Sequence, residues 1–254
     1  ILKKIIFRYI KLITFVLRVI NPKILMYSII LPSFKEAKNL ELLINKIFII
    51  SKSFEVIVVD DFSDDGTLEM LKLKKKKFKN LKFIIRYKDK SLSQSIYEGI
   101  FLAKAKNIII MDCDFNHNPN DIVRLIKNFE KKDLDFISGS RFKNFKIRSL
   151  KIRFIFSYIY CLILSKFLGF QSTDALSGFF VIKKDVLLTI NLKKIFFGYG
   201  DYFFRLIYYL NKKRFKLGEI QIKYGTRIHG FSKTKFLSVF LKYTIEAIKL
   251  KIYG

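Results

Sequence analysis

The sequence predicts an α/β protein whose mostly parallel sheet is covered by helices on both faces. Short, nearly continuous apolar runs alternate with longer segments of helical period, and each run ends in a polar, turn-forming cluster. A strand buried on both faces loses the in–out alternation of a half-exposed one, so unbroken apolar runs between helices mark a parallel sheet. The 254 residues suit one domain with appendages.

The first strand is YSIILPS (27–33), and EAKNLELLINKIFII follows as a helix with apolar residues 40, 43, 44 and 47 on one face. FEVIVVDD (54–61) is the second buried strand, and SDDGTLEMLK opens the next helix from a turn. LKFIIRY (81–87), the helix SLSQSIYEGIFLAKA and the strand NIIIMDCD (107–114) continue the alternation. NPNDIVRLIKNFEKK is a further helix and LDFISGSRF the fifth strand. Past about residue 145 the pattern fades into a basic and apolar segment (146–170), then TDALSGFFVIKKDVL and the aromatic FFGYGDYFFRLIYYL. An edge strand, KLGEIQIKYGTR, and the loop HGFSK precede a C-terminal amphipathic helix. That helix sets Lys235, Lys242, Glu246 and Lys249 on one face and Phe236, Phe240, Tyr243 and Ala247 on another. The expected organisation is an amphipathic N-terminal helix (1–22), a main domain (23–235) with an interfacial helical segment near 148–170, and the C-terminal amphipathic helix (236–254).

Lys+Arg number 49 against 21 Asp+Glu, a net charge of +28, which points to an anionic partner: nucleic acid, anionic lipid or an anionic small substrate. A basic nucleic-acid-binding protein rests on this charge alone, because no binding motif accompanies it. The block KLKKKKFK (72–79) reads as a solvated helix end. Cys113 and Cys161 form no CxxC pattern and no disulfide framework, compatible with a reducing compartment. No apolar run reaches the ~18 residues that a membrane span needs; FIFSYIYCLIL (154–164) is too short. In ILKKIIFRYIKLITFVLRVI, Lys4, Arg8, Lys11 and Arg18 share one helix side, a pattern suited to a membrane interface, with a core-packed helix as the alternative. The expected place is peripheral, on the cytoplasmic face of a membrane.

In open α/β sheets ligands bind beyond the carboxyl ends of the strands. The polar clusters Pro32–Glu36, Asp60–Asp65, Asp112–Asn116 and Ser140–Arg141 all fall there. In MDCDFNHNP (111–119), Asp112 and Asp114 suit one hard cation, Mg²⁺ or Mn²⁺, if a diphosphate completes its shell, and Asn116 offers a carbonyl oxygen. The competing role for this stretch is to cap the following helix. Asp60 and Asp61 close a buried strand, where unpaired carboxylates are costly. One is expected to cap the turn through Ser63 and Gly66, the other to accept from a base or ribose. His117 reads as a structural hydrogen-bonder. Arg227 and Lys233, beside His229 in RIHGFSK, either clamp phosphate or form a basic surface loop. The absence of GxGxxG and Walker A sequences excludes the usual dinucleotide fold and P-loop enzymes.

Taken in order from about Tyr27 to Phe236, LPSFKEAKNL, VVDDFSDDGT, IIMDCDFNHNP, ISGSRFKN, ALSGFFVIKKDVL and GEIQIKYGTRIHGFSK resemble glycosyltransferase family 2 of the GT-A fold. Within it they look most like the dolichyl-phosphate mannose synthase group, with an SGFF segment similar to bacterial members. The resemblance implies a nucleotide-sugar donor, a polyprenyl-phosphate acceptor and an inverting displacement. It places Pro32, Phe34, Glu36, Val59 and Asp61 at the donor's nucleoside. It makes Asp112, Cys113 and Asp114 the DxD turn, with Asp114 the principal metal ligand and Asn116 the third. Arg141, Arg227 and Lys233 would engage phosphates, and with Asp114 would carry catalysis. GDP-mannose is the expected donor and UDP-glucose the next. Phe62, SLSQS (91–95) and Phe231 depart from the family pattern. A phosphate acceptor is already anionic and needs no strong general base, so catalysis would rest on charge neutralisation. The competing enzyme reading, transfer to a glycan or glycolipid, needs a catalytic base, for which Asp174 and Asp201 are the candidates. The membrane side leaves room for a small membrane-anchoring partner.

Overall fold

The structure, a computed structural model, describes residues 27–144, 152–225, 228 and 236–254. The expected N-terminal amphipathic helix, Arg227, His229, Phe231 and Lys233 lie outside them. Strands β1 (Tyr27–Ser33), β2 (Glu55–Asp60), β3 (Leu81–Ile85), β4 (Asn107–Ile110), β5 (Phe136–Ser140), β6 (Phe180–Lys183) and β7 (Leu217–Gln221) form one sheet ordered β3-β2-β1-β4-β6-β5-β7. The helices are α1 (Ala37–Ile50), α2 (Thr67–Lys77), α3 (Leu92–Leu102), α4 (Asp121–Lys132), α5 (Ile152–Leu168), α6 (Lys184–Leu188), α7 (Tyr202–Lys212) and α8 (Phe236–Tyr253).

β1 pairs in parallel with β2 and β4, β2 with β3, and β5 with β7; β6 is antiparallel to both β4 and β5. The sheet is mostly parallel, as expected, but FVIK enters between the fourth and fifth strands and runs against them. A fully buried strand hides the same side chains in either direction, so its apolar run carries no orientation.

The pleat divides the core. Ile29 and Leu31 pack with Leu40, Leu43, Ile44 and Ile47 of α1 and with Ile122 and Leu125 of α4, whereas Ile30 faces α3. α5, α7 and α8 complete that second layer through Leu164, Phe203 and Ala247. Gly99 permits the close approach of α3 to β1, because a Cβ there would stand 2.5 Å from Ile30 Cγ2. The lysine block ends α2, where Lys74 pairs with Glu41 at 2.8 Å and its neighbours are largely solvated. The turn before α4 is organised by Asn118, whose Oδ1 accepts from the Asn120 amide at 3.0 Å.

Candidate active site

The carboxyl ends of β1, β2 and β4 open into a cleft of about 1540 Å³. Pro32, Phe34, Glu36, Asp61, Asp112, Cys113, Asp114, Asn116 and Arg141 all line it. Val59 does not: its side chain is 0% exposed and packs in the same core layer as Ile96 and Ile100 of α3. An inner position of a central strand keeps its side chain in the core, so the expectation that it reaches a nucleoside is corrected.

Of the two carboxylates that end β2, Asp60 is the one that closes the turn. Asp60 accepts from the Ser63 amide and hydroxyl, both at 2.8 Å, and so closes the turn. Asp61 turns into the cleft and is gripped by Arg86 and by the Ser95 hydroxyl at 2.8 Å. Burial raises its carboxyl above the ordinary value, with Ser95 and Arg86 pulling the other way. Sequence reasoning missed Arg86, although a cation ending the apolar run LKFIIRY demanded a buried partner. Two family departures find their reasons here. Phe62 adopts a left-handed φ of 55°, the conformation that favours glycine, and its ring lies 4.8 Å from that of Tyr87. SLSQS becomes the start of α3: Ser91 caps it by accepting from Gln94 N at 3.2 Å, and Ser93 and Gln94 bond to the carbonyls of Gly198 and Phe196.

At the turn after β4, Asp114 is buried and Asp112 half-exposed. Asp114 accepts from the Asn116 amide at 3.0 Å and from its side-chain nitrogen at 2.6 Å. Asn116 thus offers Asp114 its NH₂. Cys113 donates to the Pro32 carbonyl at 3.2 Å, and burial pushes its thiol well up, so it is a framework residue and no nucleophile. His117 makes no hydrogen bond through either ring nitrogen, which corrects the expected bonding role. Burial, then Arg141, lowers it to about 3, so it is a neutral slab stacked on Phe179 at 5.0 Å and edge-on to Tyr224 at 5.7 Å. No cluster of three or more His, Cys, Asp or Glu suited to a metal occurs among the described residues. Two carboxylates fit a magnesium-type ion whose shell is finished by substrate phosphates and water, and do not fit a self-contained cage.

Arg141 forms a two-pronged bond to Asp174, 2.8 Å from Nε and 2.7 Å from Nη2, and its backbone amide adds a third at 3.0 Å. Asp174 is 0% exposed. Burial alone would raise its carboxyl, but Arg141 holds it below the ordinary range, and Asp174 in turn raises the guanidinium. The guanidinium also lies 5.2 Å from the Tyr224 ring centre. The other candidate base, Asp201, is bound by Arg205, which also donates to the carbonyls of Ile195 and Phe197.

The opposite wall comes from α5 (Phe154, Ser157, Tyr160), from 197–202, and from α8 (Val239, Phe240, Tyr243, Ile245). The Tyr160 and Phe240 rings join α5 to α8 at 4.6 Å. Both helices present apolar stripes outward: Ile152, Phe156, Ile159 and Ile163 on one, Leu241, Ile245, Ile248 and Ile252 on the other. No helix among the described residues is long and apolar enough to cross a membrane.

This fold has counterparts among solved structures. Glucosyl-3-phosphoglycerate synthase from Mycobacterium tuberculosis, in complex with Mn²⁺, uridine diphosphate and glucosyl-3-phosphoglycerate, matches with a TM-score of 0.66 at 15% identity, over 89% of this chain and 79% of that one. The same protein with Mg²⁺ and uridine diphosphate gives 0.65 at 15% identity over the same shares. The class is therefore an α/β protein of the GT-A type. The family model "Glycosyl transferase family 2" matches residues 28–190, and the chain belongs to that family. The dolichol-phosphate mannosyltransferase of Pyrococcus furiosus is 31% identical over 222 residues, 84% of this chain and 60% of that protein. Its namesake from Saccharomyces cerevisiae is 28% identical over 223 residues, 82% of this chain and 80% of that protein. The chain thus spans about three fifths of the Pyrococcus protein's length.

Proposed function

We propose that this chain transfers a hexose from a nucleotide sugar to the phosphate of a polyprenyl chain at a membrane surface, with inversion at the anomeric carbon. One observation carries the reading: a single cleft runs from the Asp112–Asp114 turn and Arg141 to apolar walls supplied by α5 and α8. A polar, charge-handling end suits a diphosphate, and an apolar end suits a lipid stem. The names of the relatives agree and favour mannose, with GDP-mannose as the donor and UDP-glucose the competitor.

In this reading Asp112 and Asp114, with Asn116 as a third ligand, would hold Mg²⁺ or Mn²⁺, which would supply positive charge beside the departing nucleoside diphosphate. An acceptor phosphate oxygen bonds to the anomeric carbon while the carbon–oxygen bond to the diphosphate breaks, its electron pair leaving with the diphosphate. Arg141, fixed by Asp174, presents a guanidinium that does not have to reorganise as charge builds up. Arg227 and Lys233, which lie outside the described residues, would add positive charge for the phosphates. Pro32, Phe34, Glu36 and Asp61 hold the nucleoside. Transfer to a glycan hydroxyl finds less support, because both base candidates, Asp174 and Asp201, are committed to arginines. The exposed stripes of α5 and α8, with Lys242, Lys249 and Lys251 nearby, suit an anionic lipid surface.

Transfer of radiolabelled sugar to extracted polyprenyl phosphate tests the reading. Incorporation that needs both a nucleotide sugar and the lipid is expected. No transfer from any nucleotide sugar, with salt-sensitive RNA binding in its place, would overturn it.

A further inference from the structure

The place of the Arg141 guanidinium depends on two turns. One, residues 140–143 after β5, carries the arginine; the other, 172–174 before β6, carries Asp174, which grips it. Both are tied to Glu219 of β7, a half-buried carboxylate that nothing so far assigns a function. Its Oε1 accepts from the Ser172 hydroxyl at 2.9 Å and the Thr173 amide at 3.1 Å, and its Oε2 from the Thr173 hydroxyl at 2.7 Å. The Thr173 hydroxyl also meets that of Ser140 at 2.7 Å. A hydroxyl has one proton to give. Thr173 gives its own to the carboxylate, so toward Ser140 it accepts and Ser140 donates. Ser140 Oγ in turn accepts from the amides of Phe142 and Lys143, both at 3.0 Å. The bonds therefore run one way, from the amides after Arg141 through Ser140 and Thr173 to Glu219, and the anion at the end sets their direction. Ser172 makes a second branch, accepting from the Asp174 amide at 3.2 Å while it donates to Glu219. The Lys143 ammonium reaches the Glu219 carbonyl as well. Ser140 and Asp174 are 0% exposed, so solvent does not replace a link lost there.

We propose that Glu219 is a positioning residue: its carboxylate fixes the 140–143 and 172–174 turns against each other and so holds the Arg141 guanidinium ready for the charge that develops during transfer. This rests on the transfer reading above, in which Arg141 is a working group, and deepens it. The turns present three donors to residue 219, which a carboxylate satisfies with both oxygens. A glutamine offers one acceptor oxygen and an NH₂ that would donate to Thr173, reverse the chain of bonds and leave the Ser140 proton without an acceptor. An alanine leaves all three donors unmet. Preorganisation acts on the transition state, so its loss falls on kcat and spares KM.

Steady-state transfer by the full chain, from the nucleotide sugar it uses to polyprenyl phosphate, tests this. Glu219→Ala should lower kcat about 30-fold and leave KM for both substrates within about threefold of the parent. Glu219→Gln should recover most of that loss, to within about fivefold of the parent. A merely structural Glu219 would lower kcat by reducing the folded fraction, and such a loss multiplies with any other. A double-mutant cycle separates the two roles. In an Arg141→Lys background, where the two-pronged guanidinium is already gone, Glu219→Ala should cost no more than about threefold. Should Glu219→Ala fail to fold, Thr173→Val is the second variant, because it keeps the amide and removes the hydroxyl that joins Ser140 to Glu219. It should lower kcat about tenfold, with the same dependence on Arg141. An unchanged kcat in the variant measured, Glu219→Gln no better than Glu219→Ala, or an undiminished cost in the Arg141→Lys background would overturn the inference and leave the transfer reading standing. No transfer by the parent from any nucleotide sugar would overturn both.

Discussion

The two ends of the cleft each hold a buried arginine–aspartate pair, and the pairs are used differently. At the β2–β3 end, Arg86 takes one oxygen of Asp61, and the other has no hydrogen-bond donor among the described residues. At the β5 end, Arg141 takes both oxygens of Asp174. The shifts run in opposite directions: burial raises Asp61, whereas Arg141 outweighs burial and lowers Asp174. A carboxylate raised by its surroundings is held ionised at some expense to the fold, as a group kept for a ligand is. A lowered one stabilises the fold and has nothing left to offer. In the proposed function the arginine is the working group in the second pair and the aspartate in the first.

The largest expected effect falls on a carboxylate kept for ligands. Asp114→Ala should reduce transfer by about 10³-fold or more with the melting temperature little changed, and excess chelator should do the same. Full activity in either case would remove metal-assisted departure from the mechanism. Next is the consumed carboxylate. Asp174→Ala strands a largely buried Arg141 and should destabilise the protein by about 3–5 kcal/mol in denaturant unfolding. Asp61→Ala should be much milder by that measure, because Arg86 keeps Glu98 and the Asp89 carbonyl. Its loss should appear as about tenfold weaker nucleotide binding. Equal unfolding penalties for the two alanine variants would erase the contrast.

The pH dependence sharpens the same contrast. Asp174 has a folded-state value below its unfolded one, so its contribution is complete above the ordinary carboxylate range and is lost as pH falls through the folded value. Acid unfolding below about pH 4 should therefore be steeper in the parent than in Asp174→Asn. Asp61 has the reverse sign: its raised value makes stability decline as pH rises through the carboxylate range, and Asp61→Asn should remove that decline. The smallest effect is expected at the exposed apolar stripe of α8. Ile248→Glu with Ile252→Glu should reduce pelleting with anionic vesicles about tenfold and leave nucleotide affinity unchanged. Unaltered pelleting would remove α8 from the proposed membrane surface.

Much of the β2–β3 end of the cleft was legible beforehand. Strand, loop and helix there follow one another within about thirty residues, so VVDDFSDDGT announced both a strand end and a capped turn. That one of these two aspartates closes the turn followed from the cost of a buried unpaired carboxylate. Arg86 escaped notice because its partner is 25 positions away. The far end was less legible. Asp174 meets Arg141 across 33 positions and an intervening helix, and in the sequence it looked like a candidate base. His117 looked like a hydrogen-bonder because polarity is visible in a sequence and a sealed aromatic sandwich is not.

The sequence by itself determined the alternation of strands and helices, the sheet edge where polar loops collect, and the residues of the carboxylate turn. These depend on local periodicity and on turn chemistry, which act over a few residues. Only the tertiary structure decided that FVIK runs backwards between β4 and β5, that Val59 faces the core, and which oxygen of which aspartate an arginine consumes. Those outcomes are settled by packing and by the pairing of charges removed from water, which join residues the chain holds far apart.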